Sequence, residues 1–104
     1  MMVASGDVIL VNVQFTDTYE VKKRPALVLF EEFNNIVVAG ITSNSKMSGV
    51  LLTQKDGAMK DSVIKLNYLF TVSGNMVEKI LFTLSDSKKR KVYDALAEKL
   101  SPLS

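Results

Sequence analysis

The sequence predicts a mainly β protein with a C-terminal helix, folded as a small barrel or a strongly curled sheet. Short apolar segments recur along the chain and are separated by turn-forming residues. Only one segment, near the end, has apolar residues at helical spacing. The 104 residues are enough for one modest core, so we expect a single domain over residues 1–104.

The first three strands are predicted from apolar patterns and turn signals. Residues 8–15 form the first strand, because the second half of this segment alternates apolar and polar residues. The polar and charged segment 16–23 is predicted to be a loop. Segments 26–30 and 36–41 are apolar and flank the turn signal at 33–35, where asparagine tolerates left-handed backbone. They therefore predict a β-hairpin.

Three more strands are expected in the second half of the chain. Segment 49–53 is a short strand, and 54–61 is an exposed loop with a turn at Lys55-Asp56-Gly57. Segment 62–72 is a longer strand with a bend near Asn67. After a turn at 73–75, segment 76–84 is predicted to be the last strand.

The final helix is predicted to begin after an N-cap at either Ser85 or Asp86. Pro102 is expected to end it. One apolar face of this helix should pack on the sheet. That face comprises Val92, Ala95, Leu96 and Leu100.

Composition excludes several kinds of active site. The chain has no cysteine and no histidine, so it has no thiolate nucleophile, no serine–histidine triad and no histidine metal ligand. The net charge of +2 permits nucleic-acid binding without requiring it. No apolar stretch is long enough to cross a bilayer and no basic leader is present, so we expect a cytoplasmic protein with no membrane contact.

The hairpin places Arg24 and Thr42 near the same end. Pro25 must lie at the first position of a strand or on an edge, because it cannot donate a ladder hydrogen bond. It also holds Arg24 extended. A two-residue turn at Asn34-Asn35 would pair Thr42 with Leu27, and a three-residue turn would pair it with Ala26. Both registers leave Arg24 and Thr42 within roughly 10 Å along the strands.

This pair of side chains suits a phosphodiester. Arginine presents a planar fork of donors that matches phosphate oxygens, and a threonine hydroxyl adds another donor. Lys22 and Lys23 add positive field. Arginine before a strand and threonine after one are also common in proteins without such a site. The residues alone therefore leave both interpretations open.

The sequence resembles the MazF/PemK family of toxin endoribonucleases, from toxin–antitoxin pairs. "SGDVILVNVQFTD" resembles the opening G-D-[IV] strand and the F-T-D of the PemK-like branch. "KKRPALVL" resembles the K-x-R-P-[AV]-L-V-[IL] block, and "IVVAGITSN" the I-T block. "DSVIKLNYLFTVSGNMVEKILFTLSDSKKRKVYDAL" follows the D-S-[VY]-[IA] strand, the later strand and the helix in the same order. The resemblance extends from Ser5 to about Leu100.

The resemblance implies an SH3-like small barrel of the MazF/PemK/CcdB type, a homodimer and a cognate antitoxin partner. It also implies cleavage of single-stranded RNA without a metal ion or other cofactor. The arginine of the R-P block matches Arg24 and the threonine of the I-T block matches Thr42, which makes these two the candidate catalytic residues. Candidate substrate-binding residues are Lys22, Lys23, Ser43, Asn44 and Tyr68.

The chain departs from the family pattern after the D-S-[VY] strand. Many members carry E-Q-[IV]-R there, whereas this chain has Asn67-Tyr68-Leu69-Phe70. Tyr68 or Phe70 could stack on a base, and both could equally be core residues. This departure leaves an alternative function open, a non-catalytic protein-binding module of the same fold, either a degenerate toxin or a relative of the gyrase poisons. A generic nucleic-acid-binding barrel is a third hypothesis.

In the expected mechanism, Arg24 stabilises negative charge on the phosphate and Thr42 holds the phosphate or the attacking hydroxyl. The sequence offers no clear general base, because arginine is a poor one and histidine is absent. The run Lys88-Lys89-Arg90-Lys91 could contact RNA or the antitoxin. A solvated charged helix face is the alternative interpretation.

Overall fold

The structure is a computed structural model that describes residues 2–14, 21–44, 46 and 48–104. Within these ranges it contains one antiparallel sheet and one α-helix, with 3₁₀ turns at Gln54–Asp56, Gly74–Met76 and Ser101–Leu103. The elements are β1 (Asp7–Gln14), β2 (Val21–Glu32), β3 (Asn35–Thr42), β4 (Val50–Leu52), β5 (Ser62–Ser73), β6 (Val77–Thr83) and α1 (Asp86–Leu100). The strand order is β4-β5-β3-β2-β1-β6.

The sheet buries apolar side chains on both of its faces. Val8 and Leu27 are paired across β1 and β2 and belong to a cluster that includes Val92, so α1 covers this face. The next pair along the strands, Ile9 and Ala26, belongs to a second cluster on the opposite face. Helix α1 covers the first face, so a sheet of this size can bury the second face by curling around it. The curled half-barrel with one C-terminal helix confirms the predicted fold class.

The loop after β4 extends to the other edge strand of the sheet. Gly57 has a left-handed φ of 116°, and a Cβ at this position would lie 2.8 Å from the ring of Phe82 on β6. Only glycine allows both this backbone conformation and this close approach. The contact joins the two edges of the curled sheet at the turn predicted from Lys55-Asp56-Gly57.

The prediction of a loop over 16–23 is wrong at its end, because β2 begins at Val21 and pairs with β1 from there. Residues 16–20, and Phe15 of the predicted first strand, lie outside the described residues. Pro25 is therefore not the first residue of its strand. The pairing of β2 with β3 begins only at Ala26 and Gly40. At Pro25 the strand has β1 as its single neighbour, so the missing N–H disrupts no second ladder.

Both predicted hairpin registers are wrong. Glu32 pairs with Asn35, and the turn residues are Phe33 and Asn34, which both have positive φ, 51° and 65°. This is the backbone of a tight two-residue hairpin turn. Ile36 is fully buried, and the requirement to bury it sets which side chains of β3 face the core. Packing of the strand therefore overrides the preference of asparagine for both turn positions.

The predicted bend in the long strand near Asn67 is confirmed. Ala39 of β3 pairs with Leu69, but the next residue, Gly40, pairs with Lys65. Three residues of β5, Leu66 to Tyr68, have no partner in β3 at this point. A bulge of this size changes the direction of the strand and alters which side chains face each side.

Helix α1 begins as the sequence predicts, with Ser85 rather than Asp86 as the N-cap. The Oγ of Ser85 accepts a hydrogen bond from the backbone N–H of Lys88 at 3.2 Å. The helix ends at Leu100, two residues before Pro102. The expected apolar face is buried at Val92 and partly buried at Ala95 and Leu96, which pack against the same cluster, whereas Leu100 remains half exposed.

Candidate active site

A pocket of about 190 Å³ lies where the hairpin pairing ends, beside the bend of β5. Four strands contribute to its lining, so residues far apart in the sequence meet here. Predicted site residues Arg24, Thr42 and Tyr68 all line this pocket. The complete lining is Val13, Arg24, Pro25, Gly40, Ile41, Thr42, Lys65, Tyr68 and Phe70.

Arg24 is exposed on β2 and directs positive charge to the pocket. The last hairpin pair is Ala26 with Gly40, and continuing this register by two residues sets Arg24 opposite Thr42. Opposite residues of an antiparallel pair share a face. No described side chain accepts a hydrogen bond or forms an ion pair with the guanidinium. Its donors are therefore available to a ligand.

Thr42 is the last residue of β3, and its hydroxyl is oriented by the chain that follows. Its Oγ1 accepts a hydrogen bond from the backbone N–H of Asn44 at 3.2 Å. The Oδ1 of Asn44 in turn accepts from the backbone N–H of Lys46 at 3.1 Å. A hydroxyl that already accepts from the backbone keeps its own proton for another acceptor. Thr42 can therefore donate to an oxygen atom bound in the pocket.

Tyr68 and Phe70 form an aromatic wall of the pocket, and the absence of a side chain at Gly40 leaves space for their rings. A Cβ on Gly40 would lie 3.3 Å from Cδ1 of Tyr68 and 3.8 Å from the ring of Phe70. The rings of Tyr68 and Phe70 meet edge to face with centroids 5.4 Å apart. Tyr68 is 54% exposed, so it belongs to the surface of the pocket, whereas Phe70 also packs against the core.

Other predicted substrate-binding residues do not line the pocket. Lys23 forms an ion pair with Glu78 on β6, with 2.7 Å between Nζ and Oε1. Lys22 is exposed two residues before Arg24 and so shares its face of β2. Ser43 and Asn44 are exposed after the end of β3. The roles of these residues in binding stay predictions.

Lys65 was missed at the sequence level. It is the only charged residue in β5, and its Nζ lies 5.4 Å from the centroid of the Tyr68 ring. The signal that could have identified it is a single lysine in an otherwise apolar half-strand, immediately before the predicted bend. Gly40 was missed as well, because the close approach of a ring to a glycine depends on the register of β5.

The first cation of α1 takes part in structure rather than in the pocket. Lys88 Nζ lies 3.3 Å from Asp56 Oδ2 and donates a hydrogen bond to the carbonyl oxygen of Leu51 at 2.9 Å. Burial acts to raise the pKa of Asp56. Hydrogen bonds from the backbone N–H and hydroxyl of Thr53, and the bond and charge of Lys88, outweigh burial and hold that pKa below its ordinary value.

Two further cations of α1 have partners on the helix itself. Lys89 lies 3.9 Å from Asp86, and Arg90 lies 3.2 Å from Asp94. The guanidinium of Arg90 also lies 5.2 Å from the ring centroid of Tyr93. These contacts agree with the interpretation of a solvated charged helix face, and none of the four cations lines the pocket.

No group of three or more carboxylates that could hold a metal ion occurs in the described ranges. Among the same residues, no helix is both long and apolar enough to span a membrane.

The fold is shared with solved toxin structures. The chain superposes with a TM-score of 0.78 on the MazE–MazF crystal structure (Form-II) from Deinococcus radiodurans, at 16% identity over 97% of each chain. It matches the Mycobacterium tuberculosis toxin MazF-mt6 with a TM-score of 0.71 and 20% identity, over 89% of this chain and 96% of that one. An endoribonuclease in complex with its cognate antitoxin from a mycobacterial species matches with a TM-score of 0.75 and 14% identity, over 95% and 93%.

Comparison of the sequence with known proteins and protein families identifies the family of this chain. No curated protein sequence matches the chain. Residues 4–100, however, match the family described as the PemK-like, MazF-like toxin of type II toxin–antitoxin systems. This match covers almost the whole length and includes every element of the sheet and the helix. The protein therefore belongs to the PemK-like, MazF-like toxin family of type II toxin–antitoxin systems.

Proposed function

We propose that this protein is an endoribonuclease that cleaves single-stranded RNA without a metal ion. One observation carries the proposal: Arg24, which has no carboxylate partner in the described chain, and Thr42, whose hydroxyl proton is available, line one pocket. A guanidinium fork binds two oxygens of one phosphate. The hydroxyl supplies a third donor from the neighbouring strand.

The reaction is attack of a ribose 2′-oxygen on the adjacent phosphorus. A new bond forms between the 2′-oxygen and phosphorus, and the bond from phosphorus to the 5′-oxygen breaks. The 2′-hydroxyl loses a proton and the leaving 5′-oxygen gains one, which gives a 2′,3′-cyclic phosphate and a 5′-hydroxyl. Arg24 stabilises the extra negative charge on the phosphate oxygens, and Thr42 fixes the phosphate by donating a hydrogen bond.

The partners follow from the family. Structures with this fold include an endoribonuclease with its cognate antitoxin and a MazE–MazF complex. We propose that this chain also binds a cognate antitoxin, forms a homodimer and acts on RNA in the cytoplasm. Light scattering at micromolar concentration should give twice the mass of 11.5 kDa. A monomer mass alone would contradict the homodimer.

The function is tested with the purified protein and a single-stranded RNA in the presence of EDTA. Cleavage should proceed, because Arg24 rather than a metal ion supplies the positive charge. A matched oligonucleotide with 2′-deoxyribose throughout should remain intact, since it lacks the attacking hydroxyl. Strict dependence on added magnesium contradicts the mechanism. Failure to cut any RNA, together with tight binding of a protein partner, would support the non-catalytic binding module instead.

A further inference from the structure

Lys65 is a second cation in the pocket, and neither the family match nor the sequence motifs assign it a role. It lies on β5 directly opposite Gly40, and its side chain is partly buried. No carboxylate of the described chain forms an ion pair with it. A partly buried ammonium without a counter-ion is unfavourable unless something else stabilises its charge.

The aromatic side chain of Tyr68 provides that stabilisation. The Lys65 ammonium lies 5.4 Å from the ring centroid, within the range of a cation–π interaction. The ring itself is held in place, because it packs over Gly40 and meets the ring of Phe70 edge to face. Tyr68 therefore acts as a positioning residue that holds Lys65 at the pocket. A base could stack on this part of the ring only by displacing the ammonium.

Arg24 and Lys65 lie on different strands, and this sets the distance between the two cations. Arg24 comes from β2 and Lys65 from β5, and these strands lie on either side of β3. Strands two apart in a sheet are separated by roughly 10 Å. Each cation can therefore contact its own phosphate on a bound strand. The flexible stem of lysine lets its ammonium follow a phosphate whose position varies.

We propose that Lys65 binds the RNA phosphate next to the one held by Arg24, and that Tyr68 positions Lys65 for this contact. The proposal rests on the proposed function, since it takes single-stranded RNA as the ligand. It adds a second backbone contact that is independent of base identity. Lys65 thus fixes the register of the strand in the pocket, while the reacting groups remain Arg24 and Thr42.

The test measures binding of a single-stranded 2′-deoxyoligonucleotide, which cannot be cleaved, over a range of salt concentrations. Removing one single-strand phosphate contact should lower the slope of log affinity against log salt by about 0.7. We expect this change for Lys65→Met. Lys91→Met is the matched control, because Lys91 is an exposed lysine of α1 that does not line the pocket, and its slope should equal that of the parent. Thermal melting verifies that both variants fold.

Two variants of Tyr68 test the positioning role. Tyr68→Phe keeps the ring face and should retain the parental salt slope, whereas Tyr68→Leu should lower it towards that of Lys65→Met. If Tyr68→Leu weakens binding with an unchanged slope, the ring acts by stacking on a base and the positioning role is wrong. If Lys65→Met keeps the parental slope, the phosphate contact is wrong.

These outcomes are separable from those of the proposed function. A parent protein that cleaves RNA while Lys65→Met retains the parental slope would leave the function intact and overturn the inference. A parent that binds the oligonucleotide with the expected dependence on Lys65 but cuts no RNA would overturn the function alone. A parent that neither binds the oligonucleotide at low salt nor cuts RNA would overturn both.

Discussion

The start of α1 and the pocket beside Arg24 are both rich in positive charge, but their cations have different surroundings. At the start of α1 four cations are consecutive in sequence, and three of them have a carboxylate partner within 4.0 Å. In the pocket, Arg24 and Lys65 are 41 positions apart in sequence, and neither forms an ion pair within the described chain.

The difference shows that a dense run of charge is a weak indicator of a binding site. Lys88 fastens the helix to the loop after β4, and Arg90 lies along the helix surface. Their charges are already compensated by neighbouring carboxylates, so binding an anion there would gain little free energy. The pocket cations lie in a concave surface and have no counter-ion among the described residues, so their charge is available to an incoming phosphate.

The largest effect should come from a comparison of the two arginines in the chain, Arg24 and Arg90. Arg24→Ala should lower RNA cleavage by about 100-fold, the scale for losing one donor to the transition state. Its free energy of unfolding should change by about 0.5 kcal/mol or less, because the side chain is exposed. Arg24→Lys should restore only part of the activity, since an ammonium cannot donate two parallel hydrogen bonds to one phosphate as a guanidinium does. Cleavage rates and thermal melts measure both quantities.

Arg90→Ala is the matched control for that experiment. It removes an exposed ion pair with Asp94, worth about 0.3–0.5 kcal/mol at this helix spacing, and it should not change cleavage. Thr42→Ala should lose activity without unfolding, as Arg24→Ala does. Equal cleavage by Arg24→Ala and the parent would show that the pocket is not the active site. A large loss of cleavage in Arg90→Ala would show that the helix surface contacts RNA.

Breaking the Asp56–Lys88 ion pair at the start of α1 should lower stability and leave RNA cleavage unchanged. Asp56 and Lys88 are both largely buried, so Asp56→Asn should lower the free energy of unfolding by about 2 kcal/mol at neutral pH. Cleavage at a temperature where the variant stays folded should equal that of the parent. Urea unfolding and RNA cleavage provide the two measurements. A stable variant with impaired cleavage would place Asp56 in the function instead of the scaffold.

The same pair gives a pH dependence with a defined sign. The pKa of Asp56 in the folded protein lies below its ordinary value of 3.8, so the unfolded chain binds the proton more readily. The stabilisation is therefore fully present above pH 3.8 and is lost as the pH falls through the folded pKa. The difference in unfolding free energy between the parent and Asp56→Asn should shrink below pH 3.8. A difference that stays constant with pH would contradict this account.

The smallest effect should come from Gly40→Ala, where a Cβ would lie 3.3 Å from the ring of Tyr68. Displacing the ring from its rotamer costs about 0.5–1.5 kcal/mol, so oligonucleotide binding should weaken by about 2-fold to 13-fold. Gly57→Ala is the control with a more severe clash and a left-handed φ. It should lower stability by more than about 1 kcal/mol and leave binding by the folded protein unchanged. Unchanged binding by Gly40→Ala together with weakened binding by folded Gly57→Ala would show that the aromatic wall lies outside the binding site.

Local patterns in the sequence were enough to predict most elements and part of the site. Apolar periodicity predicted the strands, and the serine N-cap predicted the start of α1. These features depend on neighbouring residues, so they can be inferred one segment at a time. Arg24 and Thr42 were predicted to lie near one another because a hairpin brings its two ends together, whatever its register.

Only the tertiary structure determined the register of the hairpin and the complete lining of the pocket. The turn moved to Phe33-Asn34 because Ile36 must be buried, which is a property of the whole sheet. Lys65 reached the pocket through the bend of β5, and Lys88 found Asp56 across 32 residues of chain. Contacts of this kind depend on how distant segments pack against each other. The sequence by itself therefore determined the elements and the chemistry available, whereas packing decided which charges are compensated and which are left for a ligand.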